Sequence, residues 1–210
     1  MRGLRARGSR RCRELRREQS RLSEPLDERA KPPSSTWYDL VVFTLRCTAK
    51  LLRRLRAAPV AEPVAPTTTL GDWYANLLYE PGGQVVLFVN ERSLLPVLVS
   101  ARDGSTLLPR FREAAREVLT RLGAPAAAVE AEVAAMAEAR IARTASRQVL
   151  GSMTDFAWML TADRGEGRSL IERSIQLAHA PCGPIGMRSP ENVAPELLRG
   201  ALPPNLRAAR

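Results

Sequence analysis

Histidine and cysteine are scarce in this chain of 210 residues, which contains one histidine and three cysteines. Any Ser–His or Cys–His catalytic relay would have to use the single histidine, His179. The cysteines, Cys12, Cys47 and Cys182, are far apart and odd in number. This spacing argues against a disulfide framework or a zinc finger, and it favours a reducing, cytoplasmic setting. We therefore predict neither a metal site nor a cofactor.

Long apolar runs and the common catalytic motifs are also missing. No run approaches the roughly 18 residues of a membrane-spanning helix, and the basic N-terminus lacks the apolar stretch of a signal peptide. The chain has no Walker loop, no G-x-G-x-x-G, no H-E-x-x-H and no paired C-x-x-C. Gly151-Ser152-Met153 is not a nucleophile elbow, because Thr154 stands where the second glycine belongs. These absences predict no membrane association and speak against the familiar enzyme classes.

Aromatic residues make up 5% of the chain, and only 2 of its 32 basic residues are lysines. At 45% hydrophobic residues, the chain has enough apolar material for one core, built mainly from Leu, Val and Ala. The excess of arginine, together with abundant alanine and proline, is typical of a genome rich in G and C. The number of arginines is therefore weak evidence for nucleic-acid binding.

The positive charge lies at one end of the chain. Residues 1–56 carry 16 basic and 6 acidic side chains and residues 57–210 carry 16 of each, so the whole net charge of +10 lies in the first part. Residues 1–39 contain few large apolar side chains and are predicted to be a disordered basic arm. Three interpretations stay open: the arm binds nucleic acid or another anionic surface, it is a solvated tail without a partner, or it is an untranslated leader before a start near Val41.

Short turns and alternating patterns predict the strands. They are expected at 40–46, 73–80, 84–90 and 95–101, with a short fifth strand at 140–145. Because short turns join the middle three strands, these should pair antiparallel.

Helical periodicity predicts helices at 49–57, 111–122, 125–138, 147–161 and 170–179, and a last helix that opens at Ser189-Pro190. The predicted fold is α+β: a small antiparallel β-meander sheet with helices packed on one face. One domain over 40–200 should hold this fold, followed by a frayed tail over 201–210.

Two carboxylates stand in unusual contexts. Asp72 follows Gly71 and opens a strand, although strands disfavour aspartate. Asp155 lies in the middle of an apolar helix, on the same side as Ser152 and Gln148. A buried charge there is costly unless it is paired. The alternatives are a turn or cap for Asp72, and a structural pair or a solvated face for Asp155.

Further polar residues end the strand at 84–90, where Asn90, Glu91 and Arg92 are either turn formers or part of a site held on a rigid scaffold. Trp73 adjoins Asp72, while Trp158 is predicted to lie in the core. If the polar residues converge, they form a pocket. The candidate polar pocket contains Asp72, Trp73, Asn90, Arg92, Arg147 and Asp155.

Four blocks of the sequence resemble a known family. LRCTAKLLRRL begins at Leu45, LGDWYANLL at Leu70, LFVNERSLLPVL at Leu87 and RQVLGSMTDFAW at Arg147. From about Leu45 to Leu198 the chain resembles a family of small bacterial proteins known only as a domain of unknown function. The resemblance implies no catalytic residue, cofactor or substrate.

Three functions remain open. The first is a cytoplasmic, non-enzymatic interaction or regulatory domain with a protein partner, since no nucleophile–base pair or metal set is present. The second is a nucleic-acid-binding accessory protein that uses the basic N-terminal region. Its contacts would include one face of the helix at 49–57, formed by Lys50, Arg53, Arg54 and Arg56. The third is an enzyme with an Asp/Asn/Arg pocket, which requires the pocket residues to converge.

Overall fold

The computed structural model describes residues 42–61, 65–162 and 167–202. The predicted basic arm, residues 1–39, lies outside the described residues, as does the predicted tail beyond Leu202. The domain limits drawn from the sequence therefore stay predictions.

Five strands of the described chain form one mixed sheet. They are β1 (Val42–Cys47), β2 (Trp73–Glu80), β3 (Gly83–Asn90), β4 (Pro96–Ser100) and β5 (Glu138–Arg143), in the order β4-β3-β2-β1-β5. The strands β2, β3 and β4 form an antiparallel meander, as their short turns predict. The α+β class is confirmed.

The pairing of β1 departs from an all-antiparallel sheet. β1 lies between β2 and β5 and runs parallel to both. It overlaps β2 over only three residues, from Leu45 opposite Trp73 to Cys47 opposite Ala75. A parallel neighbour requires a crossover, which is supplied by the helix and the proline-containing segment between β1 and β2. The expectation of a purely antiparallel sheet is corrected in this respect.

Six α-helices lie in the described residues: α1 (Ala49–Leu55), α2 (Leu107–Arg121), α3 (Ala126–Ala135), α4 (Arg147–Ala162), α5 (Leu170–Ala178) and α6 (Pro190–Ala201). The end of α2 is followed by Gly123 at a φ of 74°, a left-handed conformation that suits glycine. The start of α5 has the predicted capping box, in which Ser169 and Glu172 satisfy each other's backbone N–H groups. No helix in these parts of the chain combines the length and the apolar character that crossing a membrane requires.

Helices pack on both faces of the sheet, which corrects the expectation of helices on one face. On the first face, Phe111 of α2 stacks on Phe88 with ring centroids 3.9 Å apart and meets Trp73 edge-on at 4.9 Å. On the second face, α4 buries its apolar stripe against Tyr74 and the odd-numbered residues of β3. The side chains from Val85 to Val89 are apolar on both faces of β3, so each face needs a cover.

The edge of the sheet at β4 is covered by α5. The hydroxyl of Ser174 accepts the N–H of Leu98 at 2.9 Å and donates to the Leu170 carbonyl at 2.7 Å. An exposed strand edge invites pairing with other chains, and a covering helix prevents this.

Candidate functional site

Asp72 joins the start of β2 to β1. Its side chain is buried, and its two oxygens accept hydrogen bonds from different groups. Oδ1 accepts the backbone N–H of Thr44 at 3.0 Å, and Oδ2 accepts Nε–H of Arg46 at 3.1 Å. Nη2 of Arg46 lies 3.0 Å from the same Oδ2. The carboxylate is thus paired and hydrogen-bonded, the condition under which a buried charge is tolerated.

Asn90 fixes the connection between β3 and β4. Its amide nitrogen donates to the carbonyls of Leu70 at 3.0 Å and Asp72 at 3.3 Å. Its Oδ1 accepts the N–H of Arg92 at 3.1 Å, the N–H of Ser93 at 2.9 Å and the hydroxyl of Ser93 at 2.8 Å. The side chain therefore ties the segment before β2 to the turn after β3.

Glu132 of α3 belongs to the same region, and sequence reasoning missed it. Its carboxylate accepts the N–H groups of Thr69 at 2.7 Å and Leu70 at 3.0 Å. Burial raises the pKa of Glu132, while those N–H groups and the guanidinium of Arg92 partly oppose the rise. One sequence feature pointed to it: Glu132 lies three residues after Val129, on the apolar stripe of its helix. We call Asp72, Asn90, Ser93 and Glu132 the polar cluster.

Arg92 and Tyr74 border the polar cluster. Arg92 is exposed and donates from Nη1 to the Thr69 carbonyl at 2.9 Å. The Tyr74 hydroxyl accepts the Ser146 N–H at 3.1 Å and donates to Oε1 of Glu91 at 3.3 Å. Burial is the main cause that raises the pKa of Tyr74.

The other members of the candidate polar pocket lie elsewhere. Trp73 is fully buried on the first face of the sheet, within the aromatic core. Arg147 and Asp155 are exposed on α4, and among the described residues no hydrogen bond or ion pair joins either one to Asp72 or Asn90. The structure thus gathers Asp72, Asn90 and the backbone of Arg92, but not the complete set.

Trp158 lies at the surface, so the prediction that it lies in the core is wrong. Its side chain is 69% exposed on α4. Trp158 is two residues from both Phe156 and Leu160, and residues two apart on a helix do not share a face. The apolar neighbours in the sequence are therefore not its neighbours on the helix surface.

The chemistry open to the polar cluster is limited, because its groups are occupied. Every side-chain oxygen and nitrogen of Asp72 and Asn90 has a partner within the protein. Burial raises the pKa of Cys47 to about 12, so this thiol is a poor nucleophile. His179 is exposed and pairs with Glu191 through Nδ1. In the described parts of the chain, no group of three or more His, Cys, Asp or Glu side chains is placed to hold a metal ion.

A different site lies at the opposite end of the meander, near the β2–β3 turn. A cavity of about 710 Å³ is lined there by four arginines, one carboxylate and the backbone of the turn. We call it the basic cleft; its charged residues are Arg54, Arg102, Arg110, Arg173 and Glu80. Glu80 is held by Arg173 through two hydrogen bonds of 2.6 and 2.9 Å. With four guanidinium groups and one carboxylate, the lining has an excess of three positive charges.

Backbone carbonyls position two of these arginines. Arg110 donates to the carbonyls of Ser100 and Asp103, each at 2.6 Å. Arg54 donates from Nη2 to the Ala101 carbonyl at 3.4 Å and remains exposed. Neutral carbonyl partners fix a guanidinium without cancelling its charge, so the cleft keeps its positive potential.

The carboxylate of Asp103 lies in the loop beside the cleft. It accepts the N–H and hydroxyl of Ser105 and the hydroxyl of Thr106. These hydrogen bonds lower the pKa of Asp103, with the Ser105 N–H as the main cause. The carboxylate therefore stays ionised, while Arg102 next to it is exposed.

An exposed aromatic ring adjoins the cleft. Tyr79 is 60% exposed and pairs across the sheet with Gln84, which lines the cleft. The ammonium of Lys50 lies 4.0 Å from the centre of the Tyr79 ring, a cation–π contact. The four basic residues predicted to form one face of α1 are divided between two places. Lys50 and Arg54 lie toward the basic cleft. Arg53 and Arg56 line a separate cavity of about 340 Å³ together with Arg143.

Comparison with known proteins identifies a family. The model of a family described as Domain of unknown function (DUF6933) matches residues 44–193, more than two thirds of the chain. No curated protein and no solved structure matches the chain. The matched range contains both the polar cluster and the basic cleft. The chain therefore belongs to the family of the Domain of unknown function (DUF6933).

Proposed function

We propose that this protein is a non-enzymatic, cytoplasmic binding domain and that its ligand is single-stranded nucleic acid, held at the basic cleft. One observation carries the proposal: the arginine-lined cleft lies beside the exposed ring of Tyr79, against which Lys50 rests. Proteins that bind single strands combine a positive groove for the phosphates with aromatic rings on which bases stack. The basic end of the meander offers both elements.

The contents of the polar cluster support binding rather than catalysis. Its carboxylate and amide groups already have protein partners, so none is available to transfer a proton to a substrate. The Cys47 thiol is buried and is therefore not accessible to a substrate. In the described part of the chain, Cys47 and Cys182 are unpaired, which supports a reducing compartment.

Fluorescence anisotropy with the full chain and a labelled single strand of about 16 nucleotides tests the proposal. We expect the double variant Arg54→Gln/Arg102→Gln to bind at least about tenfold more weakly than the wild type. The slope of log affinity against log salt concentration should fall by about 1.4, or about 0.7 for each lost phosphate contact. Arg147→Gln, which removes an exposed arginine from α4, is the matched control and should leave both values unchanged.

A third variant separates the cleft from the basic arm, which is the alternative source of binding. It replaces Arg5, Arg7, Arg10 and Arg11 by glutamine in the full chain. If this variant loses binding while the cleft variant does not, the arm is the nucleic-acid contact and the cleft proposal is wrong. The proposal also fails if the wild type binds no single strand at low salt.

A further inference from the structure

A second cavity, separate from the polar cluster, lies on the first face of the sheet. Its volume is about 410 Å³, within the range of small-molecule sites. Its walls are contributed by β1, β3, β5, α1 and α2. The apolar lining consists mainly of Leu45, Leu55, Phe88, Leu107, Leu108 and Ile141. We call it the apolar pocket.

One cation belongs to both cavities. Arg54 lines the apolar pocket and also the basic cleft, so its side chain connects the two cavities. A guanidinium has five N–H donors in a planar fork that matches a carboxylate. The hydrogen bond to the Ala101 carbonyl engages only Nη2, and at 3.4 Å it is long.

We propose that the apolar pocket binds the hydrocarbon chain of an amphiphilic anion, an unbranched chain that ends in a carboxylate, and that Arg54 holds the carboxylate. Burial of the chain among aliphatic and aromatic side chains supplies the hydrophobic part of the affinity. The charge-assisted hydrogen bonds to Arg54 orient the ligand with its carboxylate toward the cleft. Such a ligand has no base and no phosphate, so this inference does not rest on nucleic-acid binding, and the two proposals share only Arg54.

The rim of the apolar pocket is open to a ligand, and residues of the rim and lining are suitable positions for test substitutions. Gly104 and Ser105 line the pocket and are exposed. A Cβ added at Gly104 would lie 3.4 Å from Cδ2 of Leu55, an ordinary contact. A longer side chain at position 104 would therefore lie against the aliphatic wall and narrow the entrance. Leu108 is half-buried in the lining, so a larger side chain there would fill the cavity.

Isothermal titration calorimetry of the full chain with decanoate tests the inference, with decanol as the neutral comparison. We expect saturable one-to-one binding of decanoate. Decanol and the Arg54→Gln variant should each show affinity at least about tenfold lower, since a charge-assisted pair is lost. Leu108→Trp and Gly104→Leu should abolish binding while the melting temperature stays near that of the wild type. Arg147→Gln is the control for the loss of an exposed arginine.

The inference is overturned if decanoate shows no saturable binding, or if a folded Leu108→Trp or Gly104→Leu variant binds it as tightly as the wild type. Equal affinity for decanol and decanoate, or an unchanged affinity in Arg54→Gln, overturns the role of the anionic end. Should Leu108→Trp fail to fold, Gly104→Leu decides, because position 104 is exposed at the rim and tolerates a side chain.

Discussion

The two ends of the β2–β4 meander use polar side chains in opposite ways. At the end where β3 leads into β4, Asn90 is completely buried and its hydrogen bonds all stay inside the protein. At the β2–β3 turn, Arg54 and Arg102 are exposed around a cavity with excess positive charge. The difference shows that polar residues near a strand end can serve the internal hydrogen-bonding of the fold at one end and leave charge accessible to solvent at the other.

The physical basis of this contrast is the cost of leaving a buried polar group without a partner. Each such group costs about 1–3 kcal/mol, so the polar cluster must be complete to be tolerated. Exposed arginines are solvated and carry no comparable cost, and they add little to stability. The polar cluster should therefore govern stability, whereas the basic cleft should govern binding.

The largest expected effect comes from Asn90→Ala. The substitution leaves the buried Leu70 carbonyl and the Ser93 N–H without their side-chain partner. We expect the free energy of unfolding to fall by about 4 kcal/mol, measured by urea denaturation. Asn192→Ala removes an exposed asparagine from α6 and should change it by less than about 0.5 kcal/mol. A loss below about 1 kcal/mol for Asn90→Ala would contradict the claim that the polar cluster governs stability.

An intermediate effect is expected from pH through Glu132. Because burial raises the pKa of Glu132 above its ordinary value of 4.5, the unfolded chain loses this proton first as pH rises. The stabilisation by the protonated group is complete below pH 4.5 and is lost as pH rises through the folded pKa. The free energy of unfolding of the wild type, relative to that of Glu132→Gln, should thus decline between pH 4.5 and the folded pKa. The decline is at most about 1.4 kcal/mol per pH unit.

Urea denaturation at a series of pH values measures this decline. Glu130→Gln is the matched control, since Glu130 lies on the same helix with its side chain 62% exposed. A difference between wild type and Glu132→Gln that is flat with pH, or that rises, would contradict the assigned direction of the pKa shift.

The smallest effect on stability is expected from Arg102→Gln. Arg102 is exposed beside the basic cleft, so the free energy of unfolding should change by less than about 0.5 kcal/mol. In the same protein, the salt slope for a single strand should fall by about 0.7 if one phosphate contact is lost. Destabilisation by more than about 1 kcal/mol would mean that Arg102 has a structural role. It would contradict the claim that the basic cleft contributes little to stability.

Local elements of the fold were predictable because local chemistry sets them. The range of β2 was predicted to the residue, and the capping box of α5 was identified from Ser169 and Glu172 alone. Asp72 was singled out because aspartate is unusual at the start of a strand. Its partner, the N–H of Thr44, was not predicted because it lies 28 residues away in the sequence. The hydrogen bond from the N–H of Leu70 to Glu132 was not predicted either, because it spans 62 residues. No local pattern encodes such pairs.

By itself, the sequence determined which segments are helices and strands, how the meander turns, and that the net positive charge precedes residue 57. Periodicity and turn chemistry act between near neighbours, so these features can be inferred from the residues in order. Only the tertiary structure decided that β1 runs parallel between β2 and β5, and that Trp158 faces solvent. It also decided that Asp72 and Asn90 find their partners inside the protein while Arg54 and Arg102 stay exposed at the other end, because that depends on contacts between distant segments.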